Sequence, residues 1–361
     1  MFATHDHHEK DDAQGQDGRV GSWFAPALIQ PNNFVYKSLS CWSFNIAIGC
    51  SHACRFCYVP SAATIKQGQN LARYGVKDPD LEWGQYVLLR PWDEKKFMAS
   101  LRSAERVPLS ELNRDGNRAV MYCTTTDPYQ AIRHPDPIEQ KKLAEQALRL
   151  VRRSLELIRD ESTLNVRILT RSPMARVDFD LFNTFGNRLV FGMSLPTLRN
   201  DLAKVYEPKA PAPTQRLATL KRAKEAGLHI YVAIAPTYPE CDESDLVATL
   251  SAIAELDPLT VFHEPINIRA ENATKIAEAS QSLGVRLKTE VFASREAWSS
   301  YALQSLKSVW KIGREVGISD RLHLWPDKIL GSQSIIDSMP NPRAYERWLR
   351  TRWARISEWP R

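Results

Sequence analysis

The sequence predicts an α/β protein built on a parallel sheet curved into a full or partial (βα)6-type TIM barrel. Three observations predict it: six apolar runs of strand length, amphipathic helical stretches between them, and glycines placed directly after two of those stretches. Alternation of this kind is the pattern of parallel strands joined by crossover helices.

The strand candidates, in order, are Ser43–Ile48, Arg118–Thr124, Asn165–Thr170, Arg188–Ser194, His229–Ala235 and Thr260–Ile266, with a weaker seventh at Arg321–Leu324. Helical periodicity covers Pro137–Asp160, Pro213–Ala226, Glu243–Glu255, Asn272–Leu283 and Ser294–Val316. Gly227 and Gly284 follow two of these helices where a left-handed closing residue is wanted. The stretch 66–117 breaks the alternation, is rich in charge and carries Trp83, Tyr86 and Trp92, so it reads as an insertion after the first strand. Residues 1–20 lack periodicity and read as a tail, 21–330 as the barrel body, and 331–361 as a C-terminal helical extension. In such barrels the chemistry lies on loops that follow strand C-terminal ends.

At 361 residues the chain suits one large domain with additions, and its 43% hydrophobic and 25% charged content excludes a mostly disordered chain. No run of about 18 apolar residues occurs, which excludes a membrane-spanning helix, and the polar start MFATHDHHEK is unlike a secretory leader. Six cysteines, three of them within 50–57, do not resemble a disulfide framework and point to a reducing cytoplasm and a metal or redox role.

The net charge is +6, but residues 1–18 carry −4, leaving a body of +10 that permits a phosphate-bearing partner. The tail histidines His5, His7 and His8 could hold a metal loosely or stay solvated. Asn341–Arg361 holds six arginines with Trp348, Trp353 and Trp359, a composition that can stack on bases and contact phosphates. Its periodicity equally places Tyr345, Leu349, Trp353 and Ile356 on the buried stripe of a closing helix.

The strongest signal is Cys50-Ser-His-Ala-Cys54-Arg-Phe-Cys57, directly after the first strand candidate. Three thiolates at this spacing suit a [4Fe–4S] cluster with one iron lacking a protein ligand, which leaves a metal position open for a substrate or cofactor. The competing reading is zinc completed by His52 or a remote residue, although no second cysteine hook is present.

This CxxxCxPheC motif resembles the signature of the radical S-adenosylmethionine superfamily, with the resemblance running from about Cys41 to Lys328. Within it, the chain is most similar to the branch containing spore photoproduct lyase. The shared residues are Gly49-Cys50-Ser51-His52 leading into Cys57-Tyr58, Trp83-Gly84-Gln85-Tyr86-Val87, Thr126-Asp127-Pro128-Tyr129-Gln130, Leu169-Thr170-Arg171-Ser172, Glu207-Pro208 with Arg216-Leu217, and Glu264-Pro265-Ile266-Asn267. The resemblance implies a [4Fe–4S] cluster on Cys50, Cys54 and Cys57, and S-adenosylmethionine on its open iron. It also implies an external one-electron reductant of flavodoxin or ferredoxin type. The reaction it implies is reductive cleavage of that cofactor to a 5′-deoxyadenosyl radical for hydrogen-atom abstraction.

By the same resemblance Phe56 lies near the adenine, and Thr126 and Asp127 meet the cofactor's amino group. Arg171 and Ser172 meet its carboxylate, with arginine where the related enzymes tend to have lysine. Ser194 meets a ribose hydroxyl, and Glu207, Glu264 and Asn267 face substrate. Cys123 and Cys241 are the candidate hydrogen-atom donors, with Tyr238 near Cys241 in sequence and Tyr58, next to Cys57, as candidate relay tyrosines. Phe56 departs from the branch, which flanks the third cysteine with tyrosines, and this weakens a lesion-repair reaction more than it weakens radical chemistry. Three functions follow as expectations: a lyase-type radical enzyme on nucleic acid; an epimerase or other modifying enzyme on a carbohydrate, small molecule or peptide; and a non-catalytic iron–sulfur or zinc protein.

Overall fold

The computed structural model describes residues 17–32, 39–61 and 65–361, so the expected His5, His7 and His8 group lies outside the described residues. The last of the expected tail is structured: Arg19 donates to Gln85 Oε1 at 3.1 Å and to the Gly75 carbonyl at 2.8 Å.

Eleven strands are described: β1 (Val20–Ser22), β2 (Ile29–Pro31), β3 (Trp42–Phe44), β4 (Ala47–Gly49), β5 (Val87–Leu89), β6 (Ala119–Tyr122), β7 (Asn165–Thr170), β8 (Leu189–Ser194), β9 (Ile230–Thr237), β10 (Thr260–Pro265) and β11 (Leu322–Leu324). The larger sheet runs β11-β10-β9-β8-β7-β6-β3-β2; seven of its strands are parallel, and β2 joins β3 antiparallel as one edge. It does not close, so the architecture is an open, partial barrel. No helix among the described residues is long and apolar enough to cross a membrane.

The first strand departs from expectation. The run Ser43–Ile48 is two strands in two sheets, because the chain leaves the large sheet after Phe44 and pairs through β4 with β5, which also pairs with β1. Asn45 makes the crossing: its Nδ2 donates to Thr124 Oγ1 at 3.2 Å and its Oδ1 accepts from Thr125 N at 2.9 Å. The insertion thereby supplies β5 to a small sheet beside the barrel.

Helices form where expected, over Pro137–Glu161, Pro213–Glu225, Glu243–Ala254, Asn272–Ser282 and Arg295–Glu315. Their starts are fixed by side-chain caps such as Asp136 on Ile138 N and Ser294 on Ala297 N. Gly227 and Gly284 take left-handed φ values of 82° and 62° at two of their ends.

Side-chain alternation divides the large sheet. Leu189, Phe191 and Met193 of β8, with Ile230, Val232 and Ile234 of β9, face the helix-covered core. Val190, Tyr231 and Phe262 form a separate cluster in the barrel interior. There Gly192 is obligatory, since a Cβ on it would lie 2.3 Å from the Tyr231 ring.

The C-terminal helix spans Pro342–Trp353 and buries Leu349, with Tyr345 and Trp353 half-buried. Ile356 does not complete the expected stripe and is exposed, because the helix has ended three residues before it. Residues 357–359 instead close the N-terminal end of the barrel. Ser357 Oγ and carbonyl accept from Asn117, Glu358 Oε2 accepts from Thr260 and contacts His323 Nε2 at 2.7 Å, and Trp359 donates to the Asn187 carbonyl at 2.9 Å. The buried Arg167 guanidinium lies above them, 5.1 Å from the Trp359 ring and 5.0 Å from that of Tyr231.

Candidate functional site

The opposite, C-terminal ends of the strands gather the residues singled out from the sequence. The cysteine loop leaves β4 at Gly49, whose φ of +88° and close approach to Tyr86 (a Cβ would sit 2.1 Å from its carbonyl oxygen) admit only glycine. Gly84, also at +88°, packs directly under the loop, where a Cβ would be 2.2 Å from that of Ala53. The Trp83–Val87 block is thus the floor on which the loop rests. The ceiling comes from the turn after Tyr206: Arg55 N donates to the Tyr206 carbonyl at 2.9 Å, and Lys209 N donates to that of His52 at 3.3 Å.

Cys50 and Cys54 are buried and Cys57 is half-buried. Burial raises all three thiols above their ordinary pKa, and ionising one further disfavours ionising its neighbours. Cys54 is pushed up to about 12, burial outweighing the nearby Arg171. Thiols of this kind stay protonated until a cation is present to take the thiolate, as a metal centre requires. Among the described residues no three His, Cys, Asp or Glu side chains converge on one point as a single ion would need. A cluster asks less, because each thiolate binds its own iron corner. His52 does not turn to the cysteines; its Nε2 lies 3.1 Å from Asp127 Oδ2, off the axis of a hydrogen bond.

Thr126 and Asp127 both reach the cysteine loop. Thr126 Oγ1 donates to the Gly49 carbonyl at 2.6 Å. Asp127 accepts from Tyr129 N, Thr170 Oγ1 and Arg171 N at 2.9, 2.7 and 2.8 Å. Burial pushes its carboxyl up, but His52 and these donors outweigh burial and hold it at about 2.

Arg171 stands over the Phe56 ring, with its guanidinium carbon 5.7 Å from the centroid, and donates Nε–H to Glu207 Oε1 at 3.0 Å. Glu207 is fully buried and its second oxygen pairs with Arg216. Ser172 is buried and caps the turn that follows β7, accepting from Met174 N at 3.3 Å. Ser194 ends β8, and its carbonyl accepts from Arg216 at 3.2 Å.

Phe56 also meets Tyr238, with centroids 5.8 Å apart, and Tyr238 stacks on Tyr206 at 4.1 Å and 8°. Among the described residues, the Tyr238 hydroxyl is buried without a hydrogen-bond partner, as are Thr237 Oγ1 and Asn267 Oδ1. Asn267 Nδ2 donates to Glu264 Oε2 at 3.3 Å. The site therefore brings together Cys54, Phe56, Arg171, Glu207 and Tyr238, with Cys241 at the margin of the same apolar cluster. Cys123 packs in the core beneath the helices instead, and Tyr58 is partly exposed with its hydroxyl on the Thr124 carbonyl at 2.8 Å. Sequence reasoning gave Gln130 and Arg216 no roles of their own. Gln130 Oε1 accepts from Ser51 N at 2.6 Å, and the sequence signalled it only as the last residue of the shared Thr126–Gln130 block.

No protein-family profile matches the chain. It is 31% identical over 260 residues to the uncharacterized protein ORF301 of Acidianus two-tailed virus, covering 68% of this chain and 77% of that one. It is 27% identical over 233 residues to the uncharacterized protein MJ0683 of Methanocaldococcus jannaschii, covering 64% and 72%. Among solved structures it is similar to a spore photoproduct lyase variant with bound AdoMet and dinucleoside spore photoproduct, with TM-score 0.57, 12% identity, and 85% and 81% of the two chains covered. The same coverage and TM-score, at 13% identity, describe the likeness to spore photoproduct lyase complexed with the dinucleoside. The relationship to the spore photoproduct lyase branch read from the shared sequence blocks thus holds at the level of the fold.

Proposed function

The chain belongs to the family of the viral protein ORF301, and from its spore photoproduct lyase fold and its buried thiols we propose that it is a radical S-adenosylmethionine enzyme. The observation that carries this reading is that Cys50, Cys54 and Cys57 lie on a braced loop at the C-terminal rim of a partial barrel, with Phe56 on that loop and Arg171 over its ring. Bound there, a [4Fe–4S] cluster with S-adenosylmethionine would supply reductive cleavage to a 5′-deoxyadenosyl radical.

The chain's own residues bind, orient and exclude water. The three thiols would give up their protons to hold the iron. Arg171, held at Nε by Glu207, offers the rest of its guanidinium to a carboxylate, a geometry suited to bidentate pairing. Phe56 would give the adenine an apolar face, and Ser172 and Ser194 would serve the cofactor's polar groups. Tyr238, Thr237 and Asn267 carry buried polar atoms that a bound ligand could satisfy. Glu264, the hydrogen-bond partner of Asn267, would contact substrate.

A nucleic-acid substrate is favoured by the +10 body and by exposed Arg343, Arg347 and Arg350 on the C-terminal helix. The dinucleoside bound by the structurally similar lyase supports the same class. A second reading, a modifying enzyme on a small molecule or peptide, is favoured by Cys241, which borders the cluster of Cys54, Phe56 and Tyr238 and could return a hydrogen atom. A cytoplasmic setting with a flavodoxin- or ferredoxin-type reductant fits both.

Anaerobic reconstitution tests the proposal. It should give about four irons and four sulfides per chain, and reduction in the presence of S-adenosylmethionine should release 5′-deoxyadenosine. Zinc without sulfide, or a loaded, reduced protein that never forms deoxyadenosine, would overturn it and favour a non-catalytic metal protein.

A further inference from the structure

The segment Thr124–Gln130 does more than border the site. Thr126 Oγ1 donates to the Gly49 carbonyl and accepts from Gln130 Nε2, both at 2.6 Å, while Gln130 Oε1 accepts from Ser51 N at 2.6 Å. Asp127 Oδ2 faces His52 Nε2 at 3.1 Å and accepts from Arg171 N at 2.8 Å. His52, Asp127 and Gln130 are all nine-tenths or more buried. The cysteine loop is not a strand at these positions, so its polar backbone groups need partners from elsewhere, and side chains provide them.

We propose that Thr126, Asp127 and Gln130 are positioning residues that lock the cysteine loop to the end of β7, so that the thiols and Arg171 move as one unit. The proposal rests on the cofactor reading for its consequence: a carboxylate held at Arg171 and a cluster held by the thiols stabilise each other through Asp127, reciprocally. Neither Thr126 nor Gln130 has a described hydrogen bond to Arg171, so any effect of changing them on Arg171 must pass through the shared loop and Asp127.

Hydrogen exchange on the full chain in its metal-free form tests the lock without needing a cluster. In Thr126→Val and in Gln130→Ala, the amides of 51–54 should exchange about ten-fold faster than in wild type, the scale of losing one buried hydrogen bond. Arg171 and Ser172 should also exchange faster, while Thr126→Ser, which keeps the hydroxyl, should match wild type. In reconstituted protein Thr126→Val should shift the cluster's reduction potential and Thr126→Ser should restore it. Unchanged exchange at 51–54 in both variants, or faster exchange there with Arg171, Ser172 and the potential unmoved, would overturn the proposal. Iron and sulfide content of the wild type reports separately on the cofactor reading.

Discussion

Arg171 donates its Nε–H to Glu207 across 3.0 Å, and this pair ties the residue over Phe56 to the buried Arg216 behind it. Burial raises the Glu207 carboxyl, but Arg216 and Arg171 overcome that and hold it at about 2. A folded-state value below the unfolded one gives stability that is complete above the unfolded value and disappears as pH falls. Equilibrium denaturation should therefore show wild type losing stability between about pH 4.5 and pH 2. Glu207→Gln should flatten that part of the pH profile. It should also cost about 3 kcal/mol at neutral pH, since the buried Arg216 and the half-buried Arg171 both lose their carboxylate.

Gly84→Ala should strike the cysteine loop without touching a cysteine. The left-handed backbone at this position disfavours any Cβ by about 1–2 kcal/mol, and the added carbon would collide with Ala53. Lower thermal stability and a reduced yield of iron on reconstitution are the expected outcomes, while Gly68→Ala, in open space, should resemble wild type in both measurements.

Arg171→Lys preserves charge but loses the planar fork. Calorimetric titration of the cluster-loaded protein should show S-adenosylmethionine affinity reduced about ten-fold. Equal affinity in the two proteins would remove Arg171 from the cofactor's carboxylate.

Cys241→Ala and Cys123→Ala separate the two candidate donors. On the second reading, Cys241→Ala should stop product formation while 5′-deoxyadenosine continues to form, and product made by wild type in heavy water should carry deuterium. Cys123→Ala should lower stability by about 1 kcal/mol, as loss of a small buried group does, with turnover retained in the surviving protein.

Much of the fold was legible because long apolar runs and capped helices carry their own periodicity. Asn165–Thr170 matches its strand residue for residue, and Ser294 caps the helix it was expected to start. The split at Asn45 was not legible, since three-residue strands have no period and the diversion depends on Thr124 and Thr125, far along the chain. The cysteines announced themselves by spacing. The lock on their loop could not, because Ser51 and Gln130 are 79 positions apart and meet only after β6 is in the sheet.

The stopper formed by Ser357, Glu358 and Trp359 has a consequence for traffic. With that end tied across by contacts to Asn117, Thr260 and Asn187, the thiol-bearing rim is the opposite face, from which a ligand of the cysteine loop would approach.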